Sequence, residues 1–215
     1  MFRSFAFFGL VACLAGCASQ VRTSSTTFHG DDSKERGPII VLPLNDEQRD
    51  SLAFKVVSQR VSARLAEKGY QLARDRDDAK FVAFISYGID NGKTSVSSVP
   101  IYGQTGGGTS FSQGTVNGSG GSYANYSGTT TTMKTYGVVG MNASSVTEYK
   151  RDVNIDIYNV SGAKPIKAYE LRAISVGSCQ NINAIIPIVI DGMFAEFPGE
   201  SGKATRVDIK WDGKC

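Results

Sequence analysis

The sequence holds a single histidine, His29, in a stretch that reads as linker or first strand. Nucleophilic catalysis by Ser or Cys needs an adjacent base, and zinc sites draw on several His and Cys ligands. One imidazole and no Cys-x-x-Cys supply neither. Gly106-Gly107-Gly108 lacks the Lys-Ser/Thr that completes a phosphate cradle, and no helix opens after it. Asp75, Asp77 and Asp78 lack the glycine and distal Glu of a calcium loop, so they read as a turn. No spacing rule selects a pair of carboxylates for glycoside hydrolysis. The expectation is a chain with no enzymatic activity, no metal and no cofactor. Charge excess is missing as well: 23 Lys+Arg stand against 20 Asp+Glu, which gives no electrostatic case for nucleic acid. Nor is there an apolar run of the roughly 20 residues that a membrane-spanning helix requires.

What is present begins with Met1-Phe2-Arg3, a short basic segment, followed by an apolar stretch from Phe5 to Leu14 broken by Gly9. It is too short to span and is laid out like a cleaved export signal. Leu14-Ala15-Gly16-Cys17 closes it and resembles a bacterial lipobox. That likeness implies cleavage after residue 16, acylation of Cys17 and a membrane anchor. Several acyl chains would make the attachment lasting, at about 0.8 kcal/mol per buried methylene. Ala18 and Ser19 follow the cysteine. By the sorting rule for such lipoproteins, the absence of Asp there points to the outer membrane, with the protein on its periplasmic face. Residues 17–36 then read as a lipidated N-terminus and polar tether, within which Thr26 to His29 could form an edge strand.

Two cysteines remain after Cys13 leaves with the signal and Cys17 is acylated. Cys179 and Cys215 are an even pair in an oxidising compartment, expected as a disulfide, with two free thiols as the alternative. The bridge would close a loop of about 36 residues, for which loop-closure entropy gives roughly 4 kcal/mol.

Residues 37–215 read as one domain. Pro38 to Pro43 is a short apolar first strand. Asn45 to Lys68 is a helix: Asn45 and Gln48 form a candidate capping box, and Phe54, Val57, Val61 and Leu65 make its core stripe. Arg49, Lys55, Arg60, Arg64 and Lys68 read as its solvated face, and Gly69 as its stop. Strands follow at Tyr70 to Arg74 and Lys80 to Asp90. Val146 to Tyr158 alternates, with Tyr149, Arg151, Val153, Ile155 and Ile157 on one side. Lys164 to Gly177 is its hairpin partner. Ser178 to Phe197 is a second helix with Ser178, Asn181 and Asn183 as alternative caps. Pro187 is tolerable only near a first turn, which places the regular helix at Asn183 or beyond. Gly202 to Trp211 is the last strand. The resulting fold class is α+β: two layers, a mostly antiparallel sheet of about 5–6 strands, and two helices on one face.

Between these elements, residues 91–145 change character. Gly, Ser and Thr dominate and the only charges are Lys93 and Lys134. The segment is either a flexible low-complexity insertion or one or two irregular β-hairpins with a mobile tip. Tyr102, Phe111, Tyr123, Tyr126 and Tyr136 are its candidate partner-binding residues. The alternative is that they pack the insertion onto the sheet.

The lipobox, the helix ending in Gly-Tyr, the Tyr87-Gly88-Ile89-Asp90 strand, the Gly/Tyr-rich insert, the Tyr149-Lys150-Arg151 strand and the Phe197-Pro198-Gly199 helix end together resemble the DUF4136 bacterial lipoproteins. The resemblance implies an α/β outer-membrane lipoprotein and supplies no activity or site residues; the Cys179/Cys215 pair is a departure from it. A more distant similarity runs to periplasmic lipoprotein domains that regulate cell-wall synthases or build secretion channels. The expected role is a binding or structural module of the envelope, held to the membrane by its lipid and meeting a periplasmic protein or the cell wall. The alternative is a subunit of an oligomeric outer-membrane assembly or secretion channel acting through the insert. Against membrane strands stands the phase: Met133, Tyr136, Val138 and Val139 do not alternate cleanly, and Lys134 sits among them.

Overall fold

The structure is a computed structural model and describes residues 19–213 and Cys215. The export signal and Leu14-Ala15-Gly16-Cys17 lie outside the described residues. The elements in chain order are β1 (Ser19–His29), β2 (Pro38–Pro43), α1 (Leu52–Glu67), β3 (Gln71–Leu72), β4 (Phe81–Ile89), β5 (Lys93–Asn117), β6 (Tyr123–Asn159), β7 (Ile166–Gly177), α2 (Ile182–Ala195) and β8 (Ala204–Trp211). The chain divides into two compact units. One comprises the residues up to Lys93 together with Glu148–Cys215; the other is Thr94–Thr147.

The larger unit is a twisted sheet in the order β3-β2-β4-β6-β7-β1-β8 with both helices packed on it. β2 runs parallel to β3 and β4, because α1 carries the chain back across the sheet between them; the remaining pairs are antiparallel. With β5, which pairs β6, the sheet has eight strands. The expectation of 5–6 mostly antiparallel strands is therefore corrected: the fold is a mixed α+β sheet. One added strand accounts for much of the difference. Ser19–His29, read as tether, is an interior strand between β7 and β8. Its core-facing side is Val21, Thr23, Ser25 and Thr27, all buried. Hydrophobic patterning could not reveal a strand whose buried side is mostly hydroxyls. The β-branched Thr residues still suit an extended, half-buried backbone. Where α2 crosses β1 the approach is close: a Cβ added at Gly192 would lie 2.7 Å from the Thr23 Cβ.

α1 buries Phe54, Val57, Val61 and Leu65, the stripe read from the periodicity. Its start differs. Asn45 caps a short 3₁₀ turn, accepting from the Glu47 N–H at 3.1 Å, and the α-helix begins after Ser51, whose hydroxyl accepts from Phe54 N–H at 3.4 Å. Arg60 and Arg64 also depart from the expected solvated face. Both donate to Asp191 of α2, at 2.6 Å and 2.9 Å through their Nε atoms, and so tie the helices together. Asp191 and Glu67 raise the Arg64 pKa by hydrogen bonding to its guanidinium.

α2 starts at Ile182 with Asn181 as its cap and contains Pro187 in its interior, further in than expected. Proline removes one N–H from the helical ladder. The carbonyl left without that donor belongs to Asn183, a residue at the helix's outer side. Burial of Ile185, Ile186, Val189, Ile190, Met193 and Phe194 outweighs that loss, at about 1.5–3 kcal/mol per large apolar side chain. These side chains meet Phe81, Ala83 and Ile85 of β4, Val153, Ile155 and Ile157 of β6, and Leu171 and Ala173 of β7 in one core. The opposite face of the sheet is wet. Asp156 is paired there with Lys167 and Arg172, and Arg22 with Asp208.

Candidate functional site

Thr94–Thr147 builds a two-stranded ribbon from the long arms of β5 and β6, closed by a Gly118–Ser122 turn in which Gly118 N–H donates to Ser122 C=O at 2.9 Å. In the structure this segment has the form of a hairpin. Thr, Ser, Val and Tyr suit a pleated backbone, and opposed hydroxyls join the arms. Thr94 meets Thr147 at 2.8 Å, Ser97 meets Ser144 at 3.1 Å, Thr105 meets Thr135 at 3.3 Å, and Thr115 donates to Asn125 at 2.9 Å. The triple glycine has a geometric role. Gly107 has φ +76°, and a Cβ there would stand 1.9 Å from the Met133 carbonyl oxygen, so only glycine fits.

The ribbon has no interior of its own. Every large apolar side chain it carries is half or more exposed, from Ile101 at 50 % to Met133 at 92 %. The expected contact residues Tyr102, Phe111, Tyr123, Tyr126 and Tyr136 are all on this exposed set. Tyr126 covers Gly114 across the ribbon, where an added Cβ would come within 2.6 Å of its ring. Alternation along the arms places Phe111 and Tyr123 on the side of the Thr115–Asn125 bond and Tyr126 on the other. The aromatics are therefore spread over both sides of the ribbon and form no single patch. Between Thr94 and Thr147 the one charged residue is Lys134.

The larger unit brings a second set of features to one end of its sheet. Val207, Thr23, Ser175, Arg151 and Ile89 form a row across β8, β1, β7, β6 and β4. β1 and β6 run in the same direction through that row. Consequently Ser19, Trp211, Glu148 and the chain after Ile89 all lie toward the same end. Lys93 and Glu148 are the residues through which β5 and β6 continue into the ribbon. Cys179 and Cys215 stand at disulfide distance, with Cα atoms 5.3 Å apart. Arg151 is buried beside them and donates to the carbonyls of Gly177, at 3.0 Å, and Cys179. Burial lowers its proton affinity and the charge of Asp90 offsets part of that. Sequence patterning puts Arg151 on the core face without signalling this use. The signal available is its place in an otherwise apolar alternation.

His29 pairs through its backbone, its N–H donating to Ser201 at 3.1 Å, and its ring lies 6.1 Å from that of Tyr169. Among the described residues no group of three or more His, Cys, Asp or Glu is placed to hold a metal ion. Asp75 closes its own turn, accepting from the Asp77 and Asp78 N–H groups at 3.0 Å. No described helix is long and apolar enough to cross a membrane.

A family model described as "Domain of unknown function (DUF4136)" matches residues 20–199. No curated protein matches the chain. Among solved structures, a PDZ domain protein from Parabacteroides distasonis is similar with a TM-score of 0.47 and 10% sequence identity, over 90% of this chain. The matched part is 40% of that structure's own length.

Proposed function

This chain belongs to the DUF4136 family, and we propose for it the role of a lipid-anchored lipoprotein on the periplasmic face of the outer membrane, acting as a binding or structural module of the cell envelope. The observation that carries the proposal is the ribbon: uncharged but for Lys134, with all of its large apolar side chains turned to solvent. Few charges together with Tyr, Phe and Met is the composition found at the centres of contact surfaces. Tyrosines are efficient contact residues, large and rigid with a polar tip. Leu14-Ala15-Gly16-Cys17 supports the anchor. The strand beginning at Ser19 sharpens it: only Ala18 stands between the sheet and Cys17, and the two Cα–Cα steps reach about 7 Å. An acylated Cys17 would hold that end of the sheet against the bilayer surface with no free tether. The proposal includes no catalytic step.

Fatty-acid labelling tests the anchor. Label should enter the wild-type chain and be absent from Cys17→Ser; label retained in the variant refutes the assignment. Photo-crosslinking residues placed one at a time at Tyr102, Phe111, Tyr123, Tyr126 and Tyr136 test the contact surface in intact cells. Capture from ribbon positions, and none from exposed Lys55 of α1, is the expected pattern. Silence at all five would remove the ribbon from the proposal. The second reading, a subunit of an oligomeric outer-membrane assembly, is favoured by the outer edges of β5 and of β6 before Tyr149, which have no strand partner among the described residues.

A further inference from the structure

The ribbon has two long strand edges, and among the described residues neither has a partner. β5 pairs only β6, and the pairing of β6 with β4 and β7 is confined to Tyr149–Asn159. Proteins usually guard such edges with charge, proline or covering elements, because open N–H and C=O groups recruit further strands. Here Lys134 is the lone charge and Pro100 the lone proline between Thr94 and Thr147. An isolated two-stranded hairpin is also marginal in water. The ribbon has no buried apolar side chain to offset that.

Resting on the lipoprotein reading above, we propose that the partner of the ribbon is a second copy of this chain. The edge of β6 pairs with the edge of β5 in a neighbouring copy, and the series closes into a ring. Two arguments select this arrangement. Both edges are bare, and a twofold dimer would cover one edge per ribbon and leave an equivalent one in water. Head-to-tail pairing covers both, and closure removes the edges altogether. Orientation is the second argument. Ser19 and the ribbon's root at Lys93 and Glu148 belong to the same end of the sheet, so copies anchored through Cys17 on one membrane share a direction. Between copies so oriented, β6 meets the neighbour's β5 antiparallel, which continues the ladder within each ribbon. The near absence of charge leaves no repulsion between like ribbons.

The test uses the full chain, extracted in mild detergent, with mass measured by light scattering and native mass spectrometry. A discrete oligomer is expected; a monomer at all concentrations overturns the proposal. Chains that keep Cys17, Cys179 and Cys215 and carry one added cysteine distinguish the geometry. S144C is mixed in turn with S95C, S97C, Q104C and S110C and oxidised. Crosslinks should form between the mixed chains for at least one β5 position, while S144C alone gives none. A dominant S144C–S144C crosslink means twofold pairing and sinks the ring. V139P with A143P, which removes donors from the β6 edge, should abolish the oligomer and leave the melting of the larger unit unchanged. An oligomer that survives these prolines is built elsewhere and overturns the proposal. A monomer whose ribbon becomes protease-resistant only in phospholipid vesicles assigns the ribbon to lipid instead. A monomer crosslinked in cells to another protein refutes self-pairing while the binding-module reading stands.

Discussion

Tyr70 shows how one side chain can carry a pH dependence without any ion pair of its own. Its ring packs edge-on against Phe81 at 5.5 Å, the Arg36 guanidinium lies 4.9 Å from its centroid, and its hydroxyl has no hydrogen-bond partner among the described residues. Burial pushes the phenol pKa up to about 12, and Arg36 offsets part of the rise. An unfolded tyrosine ionises near 10. Between these values the unfolded chain binds fewer protons than the folded one, so stability is intact below about pH 10 and falls as pH rises through 12. The difference between the two states corresponds to at most about 2.7 kcal/mol, and to less where solvent screens the phenolate. Tyr70→Phe removes the ionisation and the unpaired hydroxyl together. Its denaturant midpoint at pH 7 should equal or exceed that of the parent, and its stability should decline less between pH 10 and 12. A variant that loses stability at pH 7 would mean that the hydroxyl has a partner in solution.

At the scale of elements, the α2–β1 contact depends on having no side chain at Gly192. Alanine there would gain about 1 kcal/mol of helix propensity. It would also drive a methyl group into Thr23, and overpacking of this kind costs about 1–3 kcal/mol. Gly192→Ala should therefore lower the melting temperature; a rise would show that α2 can lift off β1 freely. The Cys179–Cys215 pair is the other device on this side of the fold. It closes a separation of 36 residues, and reduction should lower stability by roughly 4 kcal/mol, read as a lower urea midpoint with a steeper slope, because the released denatured chain exposes more surface. The elements also show what the sequence could and could not reveal. The stripe of α1 and the alternation of β4 and of β6 beyond Tyr149 are legible, because apolar burial writes its period into the chain. β1 is not, since Thr23, Ser25 and Thr27 are buried hydroxyls that read as linker. The cap at Ser51 is hidden because Asn45 offers an equally good motif upstream of it. The ribbon is half legible: its glycines suggest disorder and its Thr and Tyr suggest strand, and only cross-strand pairs such as Thr94–Thr147 decide between them. The exposure of its aromatics depends on there being no third strand, which no local pattern records.

At the scale of the whole molecule, all of the buried apolar side chains among the described residues belong to the larger unit and none to Thr94–Thr147. Cooperative unfolding should follow that division. Specific enthalpies near 0.7 kcal/mol per residue give roughly 100 kcal/mol for the larger unit, against roughly 140 kcal/mol if the ribbon melted with it. Calorimetry should find the smaller value. Proteolysis carries the argument further, because the ribbon is also the covalent link between the two halves of the larger unit. In the V139P/A143P chain, whose ribbon has no neighbour, chymotrypsin should cut at exposed ribbon aromatics such as Tyr102 and Tyr136 and spare Phe81, Tyr169 and Phe194, which are buried. The halves then remain joined by the β1–β7, β1–β8 and β4–β6 pairings and by the packing of the helices, with no peptide bond between them. Unfolding of the nicked protein releases two chains in place of one, so its melting midpoint should rise with protein concentration. The nicked halves should still co-elute at neutral pH. Separation of the halves without heat or denaturant would show that the ribbon, and not the packed sheet and helices, holds the larger unit together.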